Sequence, residues 1–326
     1  MRTIFLNLFL LLSITSFVNG ATNESLPLTS DVGARPIAMG GAFTGVADGP
    51  ETAFYNISGA AFFETYQFSA TLYKQTTGDS ANDITNTMVS IFMPMKQLDG
   101  VVGISLIYEN MGTNEGTTSS GDPTGEFTTY NMVLGLNYST KLSDTIGIGL
   151  GAKYIYSHLY TDFIGKSFAF DASATYINDH KFNKDTNARF TAGLGLQNIG
   201  SKMSYQDEDQ ADDLPLFLRS GCSYKVDLNK MESTILLALE IDKDLFAGLE
   251  FSDNFTYRIA TEYAYKNMIF ARCGYSIDAD IYGNYNWFNW GFGIKQYNIT
   301  IDFARDSNTF DGLFENKNIF SIGYSF

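Results

Sequence analysis

The feature that most constrains this chain is a strict two-residue alternation of apolar and polar side chains, repeated segment after segment from residue 66 onward. In 146–156, Ile146, Ile148, Leu150, Ala152, Tyr154 and Tyr156 share one face, and Gly147, Gly149, Gly151 and Lys153 share the other. In 189–198, Phe190, Ala192, Leu194 and Leu196 oppose Arg189, Thr191, Gly193, Gly195 and Gln197. Near the C-terminus Phe320, Ile322, Tyr324 and Phe326 oppose Ser321, Gly323 and Ser325. Successive side chains of a strand point to opposite faces, so the pattern predicts strands with one apolar and one polar face. About fourteen such segments can be read, at 66–75, 84–95, 100–109, 127–140, 144–159, 166–177, 188–198, 215–227, 232–241, 255–265, 268–276, 288–296, 298–304 and 317–326, with 244–252 a weaker candidate.

No apolar stretch after residue 20 is long enough for a spanning helix. The connectors alternate instead. Long polar ones at 75–83, 109–126, 199–214, 241–254, 277–287 and 305–317, with a shorter one at 160–166, are interleaved with tight ones near 96–99, 141–144, 228–231, 266–267 and 296–297 and a longer exception at 178–187. A barrel with short turns at one end and long loops at the other has this parity, as outer-membrane barrels do. Charge follows it, because the long-connector windows hold 21 acidic residues against 5 basic ones. A soluble sandwich would have to bury the apolar face of every strand, and no 40–50-residue repeat marks propeller blades. A bilayer covers that face directly, and closure removes every sheet edge.

Composition fits the same reading. Charged residues are 17% of the chain and aromatic ones 15%, where average usage has ~25% charged. The rings suit the girdles at the two membrane interfaces. A net charge of −15 excludes nucleic acid as a partner, since that affinity rests on Lys and Arg displacing phosphate counterions.

Arg2, the apolar run Ile4 to Val18 and the Val18-Asn19-Gly20 site predict a signal peptide over 1–20. No cysteine follows the cut, which argues against a lipoprotein. The expectation is an all-β, transmembrane antiparallel β-barrel over 64–326 in a bacterial outer membrane, among outer-membrane lipid and lipopolysaccharide.

Residues 21–63 do not alternate. They contain Val32-Gly33-Ala34-Arg35-Pro36-Ile37-Ala38-Met39-Gly40-Gly41-Ala42-Phe43, then Val46-Ala47-Asp48-Gly49 and Ala53-Phe54-Tyr55-Asn56-Ile57-Ser58-Gly59. Glycine pairs beside small residues suit a segment folded into a barrel mouth. The segment resembles the N-terminal motif of the FadL-like outer-membrane barrels, and more closely their PorV/PorQ branch: G-A-R-x-x-x-M-G-G-A-F, an A-D-D element, then N-P-A-G. The matching residues are Gly33, Arg35, Met39, Gly40, Gly41, Phe43, Asp48, Asn56 and Gly59, while Gly49 and Ile57-Ser58 depart from the pattern. Leu196-Gln197-Asn198-Ile199-Gly200, Leu214-Pro215 and Leu218-Arg219-Ser220-Gly221 are similar to that branch's later N-x-G, L-P and L-R-x-G stations.

The resemblance implies a fourteen-stranded barrel with an N-terminal hatch, in which the matched residues have a structural or gating role. It implies a part in protein export to the cell surface, as a type IX-like shuttle that meets secreted cargo proteins and a surface sortase. The alternative within the superfamily is uptake of long-chain fatty acids or other hydrophobic small molecules. Neither role calls for a cofactor.

Chemistry-bearing residues are few. Asp278-Ala279-Asp280-Ile281-Tyr282-Gly283 starts like a calcium loop, but Asn289 stands where the bidentate Glu is needed, so no metal site is expected. Gly147 to Gly151 alternates within a strand and is not a nucleotide loop. His158 falls at a strand end and His180 in a connector, while Ser157 and His158, being adjacent, face opposite ways, so no catalytic site is expected. Cys222 and Cys273 fall on strands that are not neighbours and are expected as free thiols. The acidic run Asp207, Glu208, Asp209, Asp212 and Asp213 reads either as a solvated loop or as a site for divalent cations or a basic partner. Pairing 255–265 with 268–276 so that Tyr263 faces Ala271 sets Glu262 opposite Arg272 inside the barrel.

Overall fold

The alternating segments close on themselves. In the computed structural model, which describes residues 27–75, 84–118, 120, 122–160, 163–205, 211–245, 254–280, 283–307 and 317–326, fourteen strands form one closed antiparallel barrel in chain order. They are β1 (Gln67–Gln75), β2 (Ile84–Met95), β3 (Gly100–Thr117), β4 (Pro123–Ser143), β5 (Ile146–Tyr160), β6 (Phe163–Asn183), β7 (Thr186–Gly200), β8 (Phe217–Leu228), β9 (Ser233–Asp244), β10 (Phe255–Tyr265), β11 (Ile269–Asp280), β12 (Gly283–Gln296), β13 (Ile299–Asp306) and β14 (Lys317–Ser325). β1 pairs with β14 from Gln67↔Ser325 to Tyr73↔Ile319, which shuts the ring.

The two faces of each strand meet different surroundings. On β5, Leu150 is 59% exposed while Gly147, Gly149 and Gly151 are buried. An outward row of Leu, Ile and Phe left uncovered on strand after strand is costly in water and costs nothing against hydrocarbon. Outward rings also meet across neighbouring strands: Tyr130 lies 5.9 Å from Tyr108 and 5.8 Å from Tyr156. Among the described residues no helix is long and apolar enough to cross a membrane, and none is needed.

Turns at one end are short. In the β10–β11 turn Lys266 and Asn267 both have positive φ, 54° and 51°, the backbone of the tight hairpin turn whose twist matches the strands it joins. The connector expected at 178–187 is an error of length. β6 runs to Asn183 and β7 begins at Thr186, so His180 lies on a strand, paired with Ala188. Apart from Phe182, strand residues there are polar on both faces, so the ladder continues after the regular alternation has stopped.

The same effect shortens the opposite end. The loops expected at 109–126 and 277–287 are largely strand, since β3 and β4 extend to Thr117 and from Pro123, and β11 and β12 are separated by two residues only. Glu109, Asp242, Asp278 and Asp306 therefore stand on strands, and the acidic crown is partly barrel wall. Asp244 closes β9, but 246–253 and the expected signal peptide lie outside the described residues.

Candidate functional site

The barrel's interior is occupied by its own N-terminal segment. Residues 27–63 build a short helix α1 (Ala34–Ala38), a second helix α2 (Thr52–Tyr55) and a 3-10 helix at Ile57–Phe62. Pro36 sits in the first turn of α1, where a missing N–H costs nothing. Gly40 and Gly41, with φ of 61° and 81°, then turn the chain back through a conformation that side chains resist.

Hydrogen bonds tie this segment to strands all around the ring. Ala34 N donates to Ser321 Oγ on β14 (2.8 Å), Ser69 Oγ on β1 to Glu51 (2.7 Å), and Ser90 Oγ on β2 to Pro50 O (2.8 Å). Ser139 on β4 reaches Ile57 O, Ser58 N reaches Ser173 on β6, and Gln197 on β7 reaches Tyr55 O. On the far side Ser223 of β8 bonds Gly45 O, Ser276 of β11 bonds Gly40 O, and Asn289 of β12 bonds Ile37 O. Short polar side chains on the inward faces thus satisfy a backbone held away from water. Inward glycines let it come close: a Cβ on Gly274 would collide with Met39 backbone, and one on Gly149 would lie 2.5 Å from Ser58 N.

Charges form a belt inside the wall. Glu262 on β10 accepts from Arg35 of the segment (2.8 Å) and from Arg272 on β11 (2.5 Å), and Arg272 also donates to Asp302 on β13 (2.6 Å). The register pairs Glu262 with Arg272 and Tyr263 with Ala271. Arg35 continues to Asp48 at 2.5 Å. A second cluster holds the middle of the segment: Thr44 donates to Glu240 through both N (2.7 Å) and Oγ1 (2.9 Å), with Arg258 on Asp242 and Arg219 near both acids. Lys153 pairs with Asp171 at 2.7 Å and donates to Asn198 Oδ1. Burial opposes the charge of Arg35, yet the Asp48 and Glu262 carboxylates outweigh it and hold the guanidinium more basic than usual. Burial pushes the Glu51 carboxyl up, with the Ser69 hydrogen bond pulling the other way.

The matched N-terminal residues converge here. Met39 and Phe43 are fully buried, and the Phe43 ring meets Tyr55 edge-on at 5.4 Å. Asn56 donates to Thr44 O (2.7 Å) and Thr175 (2.9 Å). A Cβ on Gly59 would strike Ala47, and one on Gly33 would lie 2.6 Å from Glu51 Cγ. The two departures are accommodated: a Cβ at Gly49 would lie 2.9 Å from Glu51 Oε2, and Ser58 uses its hydroxyl on Asn56 Oδ1.

The later stations anchor the chain between β7 and β8. Asn198, at φ 64°, donates to Pro215 O, while Met203 and Leu214 are buried in the same apolar core as Val32, Ile155 and Ile319. Of the acidic run, Asp212 forms a backbone bridge with Met203 and Asp213 pairs with Lys202 at 3.3 Å; Asp207, Glu208 and Asp209 lie outside the described residues. Cys222 and Cys273 are free. Among the described residues no cluster of His, Cys, Asp and Glu is set to hold a metal.

Glu240, Asp242 and Arg258 escape motif reading. Their signal is a charged residue between outward-facing apolar ones, as in Leu239-Glu240-Ile241 and Tyr257-Arg258-Ile259. On a strand whose outer face meets lipid, such a charge points inward.

A closed antiparallel barrel, apolar outside and filled by its own N-terminal segment, defines an integral outer-membrane protein. A family model described as type IX secretion system protein PorV matches residues 22–269, and the chain belongs to that family. Among solved structures it is similar to the Pseudomonas putida toluene transporter TodX, at 12% identity, with 90% of this chain and 98% of that one covered and a TM-score of 0.53. A Pseudomonas aeruginosa FadL homologue aligns at 10% identity over 95% of this chain and 99% of that one, with a TM-score of 0.47. No curated protein sequence matches. The family is that of a type IX secretion protein of the bacterial outer membrane, and the fold is that of an outer-membrane barrel.

Proposed function

We propose that the N-terminal segment is a hatch that stays shut, and that the protein works through its rims and outer wall as a shuttle for secreted cargo proteins on their way to a surface sortase. The observation that carries this reading is the filled interior. The segment bonds to strands around the whole ring, and two ionic clusters fix it at Arg35 and Thr44. Opening a continuous path would break these contacts together, leaving buried charges unpaired.

A second reading, passage of hydrophobic small molecules, is favoured by one feature. The inward residues Tyr73, Met88, Ile107, Val133, Ile155 and Ile319 are apolar, unlike the polar lumen of a water-filled channel. Deleting the gene and comparing the surface proteome with uptake of a labelled fatty acid separates the two. Loss of surface proteins with normal uptake supports the shuttle; lost uptake with an intact surface proteome supports the channel.

A further inference from the structure

The short-turn rim carries a pattern that neither reading uses. In or beside each of its turns stands an exposed large apolar side chain: Leu98, Leu142, Phe182, Met231, Met268 and Tyr297. A lysine precedes each within two residues: Lys96, Lys141, Lys181, Lys230, Lys266 and Lys295, with Lys184 in addition. Acids are fewer there, namely Asp99, Asp144, Asp185, Asp227 and Glu232. Two of the lysines are engaged, Lys266 with Glu232 at 3.3 Å and Lys141 over the Phe62 ring at 5.4 Å.

Position says what covers these side chains. Leu142 continues the outward row of Leu134 and Leu136 on β4, and Phe182 that of Phe168 and Phe170 on β6. The apolar groups thus sit just past the hydrocarbon-facing wall, where acyl chains give way to headgroups. They are also spread around the whole circumference, one per turn. A protein partner needs a contiguous patch, whereas a lipid leaflet surrounds the barrel and meets every turn. Lys141 and Lys181, each one strand residue before an outward side chain, face the barrel interior, whereas Lys184 and Lys230 stand in the turns themselves, where a lysine stem lies along apolar surface and delivers its charge to the headgroup level. Between the β6–β7 and β8–β9 turns lies a groove of about 440 Å³ lined by Lys184, Lys230, Asp185, Leu228 and Met231.

We propose that this rim is a collar for anionic phospholipid, with the groove between Lys184 and Lys230 as a headgroup seat and Met231 against the acyl region. That the collar lies in the periplasmic leaflet rests on the outer-membrane reading; the binding itself does not. The test is native mass spectrometry of the full-length barrel, purified in neutral detergent and incubated with equal phosphatidylglycerol and phosphatidylcholine. The wild type should retain phosphatidylglycerol preferentially, with the preference falling about fivefold for each lysine removed in Lys184→Gln and Lys230→Gln. Met231→Ser should lower retention of both lipids, and Lys166→Gln, on β6 away from this rim, should change nothing. Heat-shifted gel mobility checks that each variant is folded. Equal retention of the two lipids, a preference that survives in the double lysine variant, or equal loss in Lys166→Gln would overturn the proposal. So would displacement of the lipid by inorganic phosphate that is itself retained, since the seat would then belong to a free anion.

Discussion

Arg35 and Glu262, 227 residues apart in sequence, are joined by two hydrogen bonds of 2.8 and 3.0 Å inside the barrel. The same carboxylate holds Arg272. Glu262→Ala leaves the buried Arg272 and the partly buried Arg35 without their shared partner, and removing one member of a buried pair costs about 3–5 kcal/mol. Urea unfolding in lipid vesicles should show that loss, and limited proteolysis should cut the N-terminal segment sooner. An unchanged midpoint would mean the belt does not hold the segment.

Glu51 gives a pH signature. Its folded-state carboxyl is raised by burial, so its contribution to stability is complete below the unfolded pKa and is lost as pH rises through the higher folded value. Glu51→Gln keeps an acceptor for Ser69 and removes the titration. The variant should match the wild type near about pH 4 and exceed it in unfolding midpoint at neutral pH. A wild type that is the more stable of the two at neutral pH would refute this.

Gly274 and Gly323 should respond differently to alanine. A Cβ at 274 would run into the Met39 and Gly40 backbone, while one at 323 meets nothing closer than 3.7 Å. Overpacking of this kind costs about 1–3 kcal/mol. Gly274→Ala should therefore expose the segment to protease, and Gly323→Ala should leave it protected.

Leu150 faces outward from β5. Leu150→Arg should cost about 2–4 kcal/mol if the position is near mid-bilayer, measured by the same unfolding assay. No loss would contradict the assignment of that face to lipid.

Much of the wall was readable because burial on one side and lipid on the other write a period of two into the sequence. β2 and β10 have the ends that alternation predicts. The pattern failed where its cause failed: at Thr113, His180 and Asp278 both faces of the strand lie beyond the hydrocarbon, so hydrogen bonding continues without an apolar row. The interior was less legible. Gly147 and Gly149 read as a polar face, but that they make room for Ser58 depends on contacts about ninety residues away. Arg35 was marked by resemblance and Glu262 by register, yet nothing local joins them, and Glu240 became visible only once its neighbours were known to face outward.

Ser321 on β14 receives Ala34 N of the segment at 2.8 Å and meets Thr71 Oγ1 of β1 at 2.7 Å. One hydroxyl therefore serves both the seam and the filling. Because a chain is made from its first residues onward, the segment waits longest of all for this partner, which arrives with the final strand. A barrel closed around an empty interior would therefore leave this hydroxyl short of one partner at the very joint where β1 meets β14.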